Sequence, residues 1–557
     1  MKKVYYVISF LVLSFSTALF AQEIDNNQLL WVNATTNDSL IGWPLSMTSD
    51  ANANVFVCGH FEGQKGFGDF TLTTKSIDGF IVKYAPDGRV LWARQTHTPN
   101  DNVDGTIRNG HMGILACDAN GNVYVMGGAN TVDFGNGVSL EAPPNIPFSN
   151  SGFIVKYSPE GQPLWAKRFQ SYNGGITSFK VNPNGEMYVG GSYGYIAKYN
   201  SDGNYEWSSY IKSGVMTENR IITNADNIFS VGKLIGKVEQ YDGTKSASKG
   251  RADVHITKYN YSGEIDWILN YGADSSVCTP QAVAIDKKKN IYILGNFDRA
   301  IDFGNGIKLI NESYTDYYSP NNYFLAKFQP NGDIVWAKEI INSTNLSGLN
   351  PFSNIATDSD GNTHLNLEVK GTLNLDDGNV IVSSEQANFI VTYNAQGKIV
   401  DMRKSVSKTD AILNQQLIMV DKNNNIYTSG NFSGQVQFGK DNTLNGNFAG
   451  SIFIAKYASF NPVSVADNEL LKTTDILSIH PNPAHSTSRI SFTTTAPSRA
   501  RLTLTDVLGR QTLLKEETLD AGEHSAEINT ANFPAGIYVL TLEAGGQVFS
   551  QNVVIER

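Results

Sequence analysis

Apolar and polar residues alternate in short runs along most of the chain, and these runs repeat. The stretch FIVKYAPDGRVLWAR at 80–94 returns as FIVKYSPEGQPLWAK at 153–167. Looser copies begin at 195, 255, 324 and 389, and a shortened copy occupies 453–457. Alternation on both sides of a polar turn that contains glycine predicts a β-hairpin with one packed face.

Aromatic residues hold a fixed spacing inside these copies. An aromatic residue precedes a glycine by four positions, and a tryptophan follows that glycine by four. Asp401 replaces the tryptophan in one copy, and a lone tryptophan stands near the start of the chain. We expect the tryptophans in this register to pack neighbouring repeats against each other: Trp31, Trp92, Trp165, Trp207, Trp267 and Trp336.

A second hairpin lies upstream of each copy, as in ILACDANGNVYVMGG at 114–128. Each repeat therefore comprises four short strands, which is typical of β-propeller blades. The lone Trp31 strand and the incomplete last repeat, 415–457, can complete one blade together. Such closure removes free sheet edges. The prediction is an all-β, seven-bladed β-propeller over 23–458, closed by pairing of its N- and C-terminal strands.

The connections between strands differ in length on the two faces of this predicted ring. Short turns lie on one face, and the other, here called the long-loop face, carries the segments 96–111, 129–152, 235–253, 298–323 and 340–352. Loops on a rigid scaffold often carry binding residues, and tyrosines suit stacking on sugars or packing on proteins. Tyr314, Tyr317 and Tyr318 are therefore the candidate binding residues, with ordinary loop filler as the alternative.

Motifs that resemble catalytic or metal sites occur in the wrong context. The stretch GGSYG at 190–194 matches a nucleophile elbow, but no helix follows it. The turns DANGN at 118–122 and DSDGN at 358–362 are too short for EF-hand loops, and their Asp and Asn residues suit the backbone of a turn. The eight histidines have no metal-ligand spacing. We predict no catalytic residue, metal or cofactor.

The first residues resemble a secretory signal. Lys2 and Lys3 precede an apolar run over 4–20, and small residues frame a cleavage position near Gln22. We expect a signal peptide over 1–22 that is removed, with an uncleaved anchor as the alternative. No later stretch is apolar enough to span a membrane.

Charge and cysteine content narrow the partners and the chemistry. The formal net charge is −10 without a basic stripe, so nucleic acid is not an expected partner. Cys58, Cys117 and Cys278 are too few and scattered for a disulfide framework. We expect buried thiols, although one pair could form a bridge in an oxidising compartment.

The repeat pattern stops after Tyr457, and a polar linker is predicted over 459–474. Strand-like alternation resumes beyond it, with HPNPA at 480–484, RLTLTDVLGRQTLL at 501–514 and FPAGIYVLTLEAGG at 533–546. The segment 475–557 is therefore predicted to fold as a compact immunoglobulin-like β-sandwich.

These tail motifs resemble the type A C-terminal sorting domain of the type IX secretion system. The resemblance rests on Pro481, Asn482, Pro483, Asp506, Gly509, Arg510, Pro534, Gly536, Tyr538 and Val539. The family implies recognition by the outer-membrane secretion machinery, removal of the domain at the surface, and attachment to lipopolysaccharide or release. The ending QNVVIER departs from it, with a single closing basic residue where members often have two lysines. A generic ligand-binding β-sandwich is the alternative.

The repeats resemble the bacterial β-propeller repeat (SBBP-type) family, which implies a fold more than an activity. The combined expectation is a protein outside the cell, or attached to the outer-membrane surface of a Gram-negative bacterium. Its function is expected to be non-catalytic binding or adhesion, with a glycan or an extracellular protein as ligand. The alternatives are an extracellular glycosidase or lyase on the same scaffold and a structural surface component.

Overall fold

The computed structural model describes residues 28–36, 40, 42–98, 111–142, 152–169, 176–224, 227–312, 314, 322–342, 355–375, 380–407, 411–438, 442–460, 477–494, 498–506, 510–520, 522–544 and 547–556. The expected signal peptide and nearly all of the expected linker lie outside these residues. The chain divides into two compact parts, Met1–Phe460 and Asn461–Arg557, here called the N-terminal and the C-terminal domain.

The described strands of the N-terminal domain form one 12-stranded sheet, four separate sheets of four or five strands and two small hairpins, all antiparallel, and we assign them to seven groups of four strands, here called modules. A first strand, β1 (Leu29–Ala34), precedes them.

Module 1 has β2 (Gly42–Ser49), β3 (Val55–Phe67), β4 (Phe70–Tyr84) and β5 (Val90–Gln95). Module 2 has β6 (His111–Cys117), β7 (Val123–Gly128), β10 (Gly152–Tyr157) and β11 (Pro163–Arg168), with the small hairpin β8 (Val132–Asp133) and β9 (Ser139–Leu140). Module 3 has β12 (Ile176–Val181), β13 (Met187–Gly191), β14 (Tyr195–Tyr199) and β15 (Tyr205–Ser209); module 4 has β16 (Ile211–Asn224), β17 (Asn227–Gln240), β19 (Asp253–Tyr259) and β20 (Ile265–Tyr271), with β18 (Lys245–Ala247) beside β17. Module 5 has β21 (Cys278–Ile285), β22 (Ile291–Phe297), β25 (Asn322–Phe328) and β26 (Ile334–Asn342), with the small hairpin β23 (Ala300–Asp302) and β24 (Lys308–Ile310). Module 6 has β27 (Ile355–Thr357), β28 (Thr363–Leu375), β29 (Val380–Tyr393) and β30 (Ile399–Ser407); module 7 has β31 (Ile412–Val420), β32 (Ile426–Phe438), β33 (Asn442–Tyr457) and β1.

The first strands of the modules surround a common space. Each contacts the first strand of the next module, and β31 of module 7 contacts β2 of module 1. Residues from all seven of these strands line a cavity of about 930 Å³, here called the central cavity. Four-stranded antiparallel sheets arranged around a central channel define the β-propeller architecture. The expected all-β fold with a propeller-type domain and a separate C-terminal β domain is confirmed.

The second and third strands of module 3 are buried on both of their faces. Every residue of β13 and β14 is buried, although the sequence pattern predicted hairpins with one packed face. That prediction was wrong because each sheet packs against a neighbouring module on either side. Tyr188 of module 3, for instance, belongs to one hydrophobic cluster with Ile221 of module 4, whereas Val189 clusters with Tyr124 of module 2.

Modules 5, 6 and 7 are joined by additional strand pairing that the repeat pattern did not predict. The end of β28 extends past its own module and pairs at 373–375 with residues 340–342 of β26. In the same way β32 pairs at 436–438 with residues 405–407 of β30. Both strands are 13 residues long, so their far ends reach the outermost strand of the preceding module.

The tryptophans of the repeat contact the next module along the chain. Trp92 donates a hydrogen bond from Nε1 to the Pro159 carbonyl oxygen at 3.0 Å, and its ring lies against Gly161 in the same turn. Equivalent bonds run from Trp31 to Pro86, from Trp207 to Tyr261 and from Trp336 to Ala395. Trp165 and Trp267 lie against the corresponding glycines, Gly203 and Gly332.

The contact between modules 6 and 7 uses a different set of side chains. Asp401 stands at the tryptophan position, and its carboxylate accepts a hydrogen bond from Arg403 Nε at 2.8 Å. Arg403 also donates from Nη1 to the Ala458 carbonyl oxygen at 2.8 Å, and its guanidinium lies 5.6 Å from the Tyr457 ring centroid. The buried Arg403 therefore bridges these modules where the tryptophan is missing.

The described part of the C-terminal domain consists of two antiparallel sheets and one 3₁₀ turn (Thr530–Asn532). One sheet contains β34 (Leu477–His480), β35 (Thr487–Thr494) and β38 (Gly522–Asn529); the other contains β36 (Ser498–Asp506), β37 (Gln511–Leu519), β39 (Gly536–Ala544) and β40 (Gln547–Ile555). Ile490 and Phe492 of the first sheet share one hydrophobic core with Leu502, Leu540 and Leu542 of the second.

Candidate functional sites

The long-loop face is only partly described. Tyr317 and Tyr318 lie outside the described residues, whereas Tyr314 is half-buried at the end of segment 298–312. The Arg299 guanidinium lies 4.4 Å from the Tyr314 ring centroid, and the Tyr314 backbone N–H donates to the Asn311 carbonyl oxygen at 3.2 Å. A cation over a tyrosine ring keeps the ring in one orientation.

Asp298 fixes the base of this loop. Its Oδ1 accepts hydrogen bonds from the backbone N–H groups of Val277 and Arg299 and from the Ser276 hydroxyl. Its Oδ2 forms an ion pair with Arg251. One half-buried carboxylate thus connects three chain segments, and Tyr314 is attached to a fixed base.

The aspartates of the calcium-like turns are engaged within their own turns. Asp118 accepts hydrogen bonds from the backbone N–H groups of Asn120 and Asn122, from Asn122 Nδ2 and from the Tyr124 hydroxyl. Because Tyr124 is buried, its hydroxyl group needs a hydrogen-bond partner inside the protein, and Asp118 is that partner. Among the described residues, no group of three or more His, Cys, Asp or Glu side chains could hold a metal ion.

Module 6 has a histidine in place of this tyrosine. His364 is buried, with Nε2 3.4 Å from Asp358 Oδ2 and Nδ1 2.9 Å from the Thr392 hydroxyl. Burial by itself disfavours the charged carboxylate of Asp358. The nearby His364 imidazole and the hydrogen bonds from Asn362 outweigh that effect and lower the pKa of Asp358.

The three thiols are free. Burial raises the pKa of Cys278 to about 12, and burial together with the nearby Asp50 and Asp118 raises the pKa of Cys117 to about 12. Both thiols therefore stay protonated at neutral pH, and thiols in that state are poor nucleophiles.

The central cavity contains a charged side chain that sequence reasoning missed. Lys180 of β12 lines the cavity and is exposed there, and the surrounding protein lowers its pKa by removing part of the solvation of the ammonium group. Alignment of the repeats could have revealed it. The equivalent position lies two residues before the first residue of the turn. It is Lys180 before Asn182, but alanine in two other repeats: Ala116 before Asp118 and Ala284 before Asp286.

The motif residues of the C-terminal domain lie together near one end of the four-stranded sheet. Asp506 of β36 is the cross-strand partner of Tyr538 in β39, and Gly536 is the partner of Ile555 in β40. Ile555 also forms a bridge with Ala484, directly after the Pro-Asn-Pro element.

Each motif element stabilises a connection. Asn482 Oδ1 accepts a hydrogen bond from the Val554 backbone N–H at 2.8 Å, which holds the last strand, and the peptide bonds before Pro481 and Pro483 are cis. Asp506 accepts from Arg510 Nε at 2.6 Å and from its backbone N–H at 3.0 Å, across a turn whose Gly509 lies outside the described residues.

The third motif element, residues 534–539, contains both buried and exposed residues. Tyr538 is buried, donates its hydroxyl hydrogen to the Pro534 carbonyl oxygen at 2.9 Å and packs edge-on against Phe533. Pro534, Gly536 and Val539 are exposed. Tyr538 therefore holds the loop in shape while its neighbours face solvent.

Comparison with known protein families gives this arrangement a name. Residues 478–556 match the family model described as a secretion system C-terminal sorting domain. The tail is a C-terminal sorting domain. The chain thus joins a propeller-type domain to a C-terminal domain whose sequence matches a secretion system sorting domain.

A repeat protein of viral origin also resembles the chain. It is an uncharacterized WD repeat-containing protein of Acanthamoeba polyphaga mimivirus, 24% identical over 474 residues. The matched region covers 70% of this chain but only 30% of the relative. The identity therefore supports a repeat architecture and no specific activity.

Solved structures with similar folds are more distant. YCF48 from Cyanidioschyzon merolae shares 9% identity, with 76% of this chain and 99% of that chain covered and a TM-score of 0.35. PorZ, a surface component of the type-IX secretion system of Porphyromonas gingivalis, shares 10% identity over 94% of this chain and 100% of that chain, with a TM-score of 0.17. Scores this low carry no argument about function.

No helix in the described residues is long and apolar enough to cross a membrane.

Proposed function

We propose that this chain is a non-catalytic binding protein that the type IX secretion system exports to the cell surface or releases. The observation that carries the proposal is the match of residues 478–556 to a sorting domain in the same chain as a propeller-type domain. In this account the signal peptide over 1–22 is removed first. The tail, an immunoglobulin-like sandwich over 475–557, is then recognised by the outer-membrane machinery, which anchors or releases the propeller.

The propeller domain is proposed to be one ring of seven blades. The pairing of β1 with β33, in which Val32 lies opposite Ala455, supports this closure. The contact of β31 with β2 supports it further. In such a ring, the tryptophans at 31, 92, 165, 207, 267 and 336 serve as packing residues between successive blades.

The long-loop face is proposed to bind a glycan or an extracellular protein. Its support is the fixed base around Asp298 together with the half-buried Tyr314 ring beneath Arg299. An aromatic ring with a neighbouring cation suits both the apolar faces and the hydroxyl groups of a sugar. Tyr317 and Tyr318, which lie outside the described residues, are proposed as further binding residues.

A binding screen tests the proposal. The purified chain is applied to arrayed glycans and to extracellular matrix proteins, alongside Tyr314→Ala and the control Tyr205→Ala, a tyrosine 58% exposed on the outermost strand of module 3. We expect at least one ligand whose binding falls about tenfold or more in Tyr314→Ala and stays unchanged in Tyr205→Ala. Equal binding by both variants would exclude the long-loop face as the site.

A further inference from the structure

The side chains that line the central cavity are mostly apolar, and their only charges are positive. Among the described residues of the lining, Lys180 and Arg220 carry charge and no carboxylate is present. The buried Arg220 donates from Nε to the Gln281 carbonyl oxygen at 3.0 Å, so it is engaged in the wall. Lys180 makes no hydrogen bond or ion pair with any described residue.

Three buried lysines of this domain have hydrogen-bond or ion-pair partners. Lys83 forms an ion pair with Asp50 at 3.3 Å, and Lys198 contacts Glu186 and Glu206 at 2.7 and 3.0 Å. Lys327 donates to the Ala395 carbonyl oxygen at 3.1 Å. Each of these lysines therefore has a polar contact with the protein, and Lys180 differs because it lines the cavity without such a contact to a described residue.

Three of the positions equivalent to Lys180 in other modules carry small side chains. Counted back from the turn that follows each first strand, the equivalent positions in modules 2, 5 and 6 are Ala116, Ala284 and Ala356. All three alanines line the cavity. The apolar side chains of Phe179, Val283 and Ile355, one position earlier along their strands, also line it.

Aspartates near one end of the cavity do not neutralise this charge. Asp286, Asp358 and Asp421 line a small adjoining pocket, and each accepts hydrogen bonds within its own turn. Burial by the surrounding protein lowers the pKa of Lys180. An ammonium that has lost part of its solvation gains more from an adjacent anion than a fully solvated ammonium would.

We propose that the central cavity binds an organic anion, whose charged group pairs with the Lys180 ammonium and whose apolar body contacts the surrounding strands. A volume of about 930 Å³ lies within the range of small-molecule sites. The ligand class is an alkyl or aryl carboxylate, since the described lining offers one cation without a protein partner among side chains that are mostly apolar. This site does not depend on the binding proposed for the long-loop face.

Calorimetric titration of the full chain with octanoate and with octan-1-ol tests the proposal, because the two probes share a chain length and differ in charge. We expect octanoate to bind about tenfold or more tightly than octan-1-ol, because only octanoate can form an ion pair with Lys180. Lys180→Met is expected to abolish this preference, and Lys180→Arg to retain it. The control Lys245→Met, at a position 77% exposed, is expected to leave it unchanged.

Thermal unfolding shows whether Lys180→Met is folded, and Lys180→Gln provides a second neutral variant. The proposal is overturned if wild-type protein binds octanoate no better than octan-1-ol. It is also overturned if a folded neutral variant keeps the preference for octanoate.

Discussion

Gly161 illustrates how a single turn residue determines the contact between two modules. Its φ angle is +78°, and a Cβ at this position would lie 2.7 Å from the Trp92 ring. A side chain here would therefore meet both a strained backbone and the tryptophan of the preceding module. Gly135 has a similar φ angle of +87°, yet nothing lies within 4 Å of an added Cβ.

The pair Gly161→Ala and Gly135→Ala separates these two effects. We expect Gly135→Ala to lower the free energy of unfolding by about 1 kcal/mol, the cost of the left-handed backbone. Gly161→Ala should lower it by about 2–4 kcal/mol, because overpacking against Trp92 adds to that cost. Urea unfolding followed by tryptophan fluorescence measures both, and equal losses would show that Trp92 does not restrict the turn.

Asp358 contributes stability that depends on pH. Because its folded-state pKa is lowered, its contribution is complete above the unfolded pKa of about 3.9 and is lost as the pH falls through the folded pKa. Asp358→Asn should therefore lower the free energy of unfolding by about 1–3 kcal/mol at pH 7, with a smaller difference from wild type near pH 3.

The matched control for this prediction is Asp360→Asn in the same turn, since Asp360 is exposed. Urea unfolding at the two pH values measures all three proteins. A loss in Asp358→Asn that is equal at both pH values would contradict the linkage to ionisation.

At the scale of strands, alternation and turn residues predicted most hairpins but not the lengths of all strands. The turn around Asp118 and the tryptophan hairpins follow directly from local sequence, because Asp, Asn and Gly satisfy the backbone of tight turns. The far ends of β28 and β32 were not predictable in this way. Their partners belong to other modules, and a single-sequence pattern contains no signal for pairing between modules.

The pairing of β1 with the edge of β33 can be tested by removing β1. Replacing Leu29–Ala34 by a Gly-Ser segment of equal length should lower the midpoint of thermal unfolding and increase self-association, because the edge of β33 loses its partner. Leu30→Ser, at a side chain 51% exposed, should change neither property. Calorimetry and light scattering give the two readings, and a replaced segment without effect would contradict the proposed closure.

At the scale of the whole molecule, the sequence predicted the two-part architecture and the sorting motif, but not the binding chemistry. The tail motifs are local and ordered, so residues such as Asn482 and Tyr538 could be recognised one by one. Lys180 could not be assigned a site because its environment comes from strands of seven modules. The long-loop face was predicted only as a surface, and of the three tyrosines predicted to bind ligand only Tyr314 is described.

Export through the sorting domain is the central claim, and the most direct measurement compares the full chain with a chain lacking residues 475–557 in a host with a working type IX secretion system. The location of each protein is followed by cell fractionation and its mass by mass spectrometry. We predict that the full chain reaches the surface or the medium shortened at both ends, and that the truncated chain stays in the periplasm. Surface delivery of the truncated chain at the level of the full chain would contradict the account.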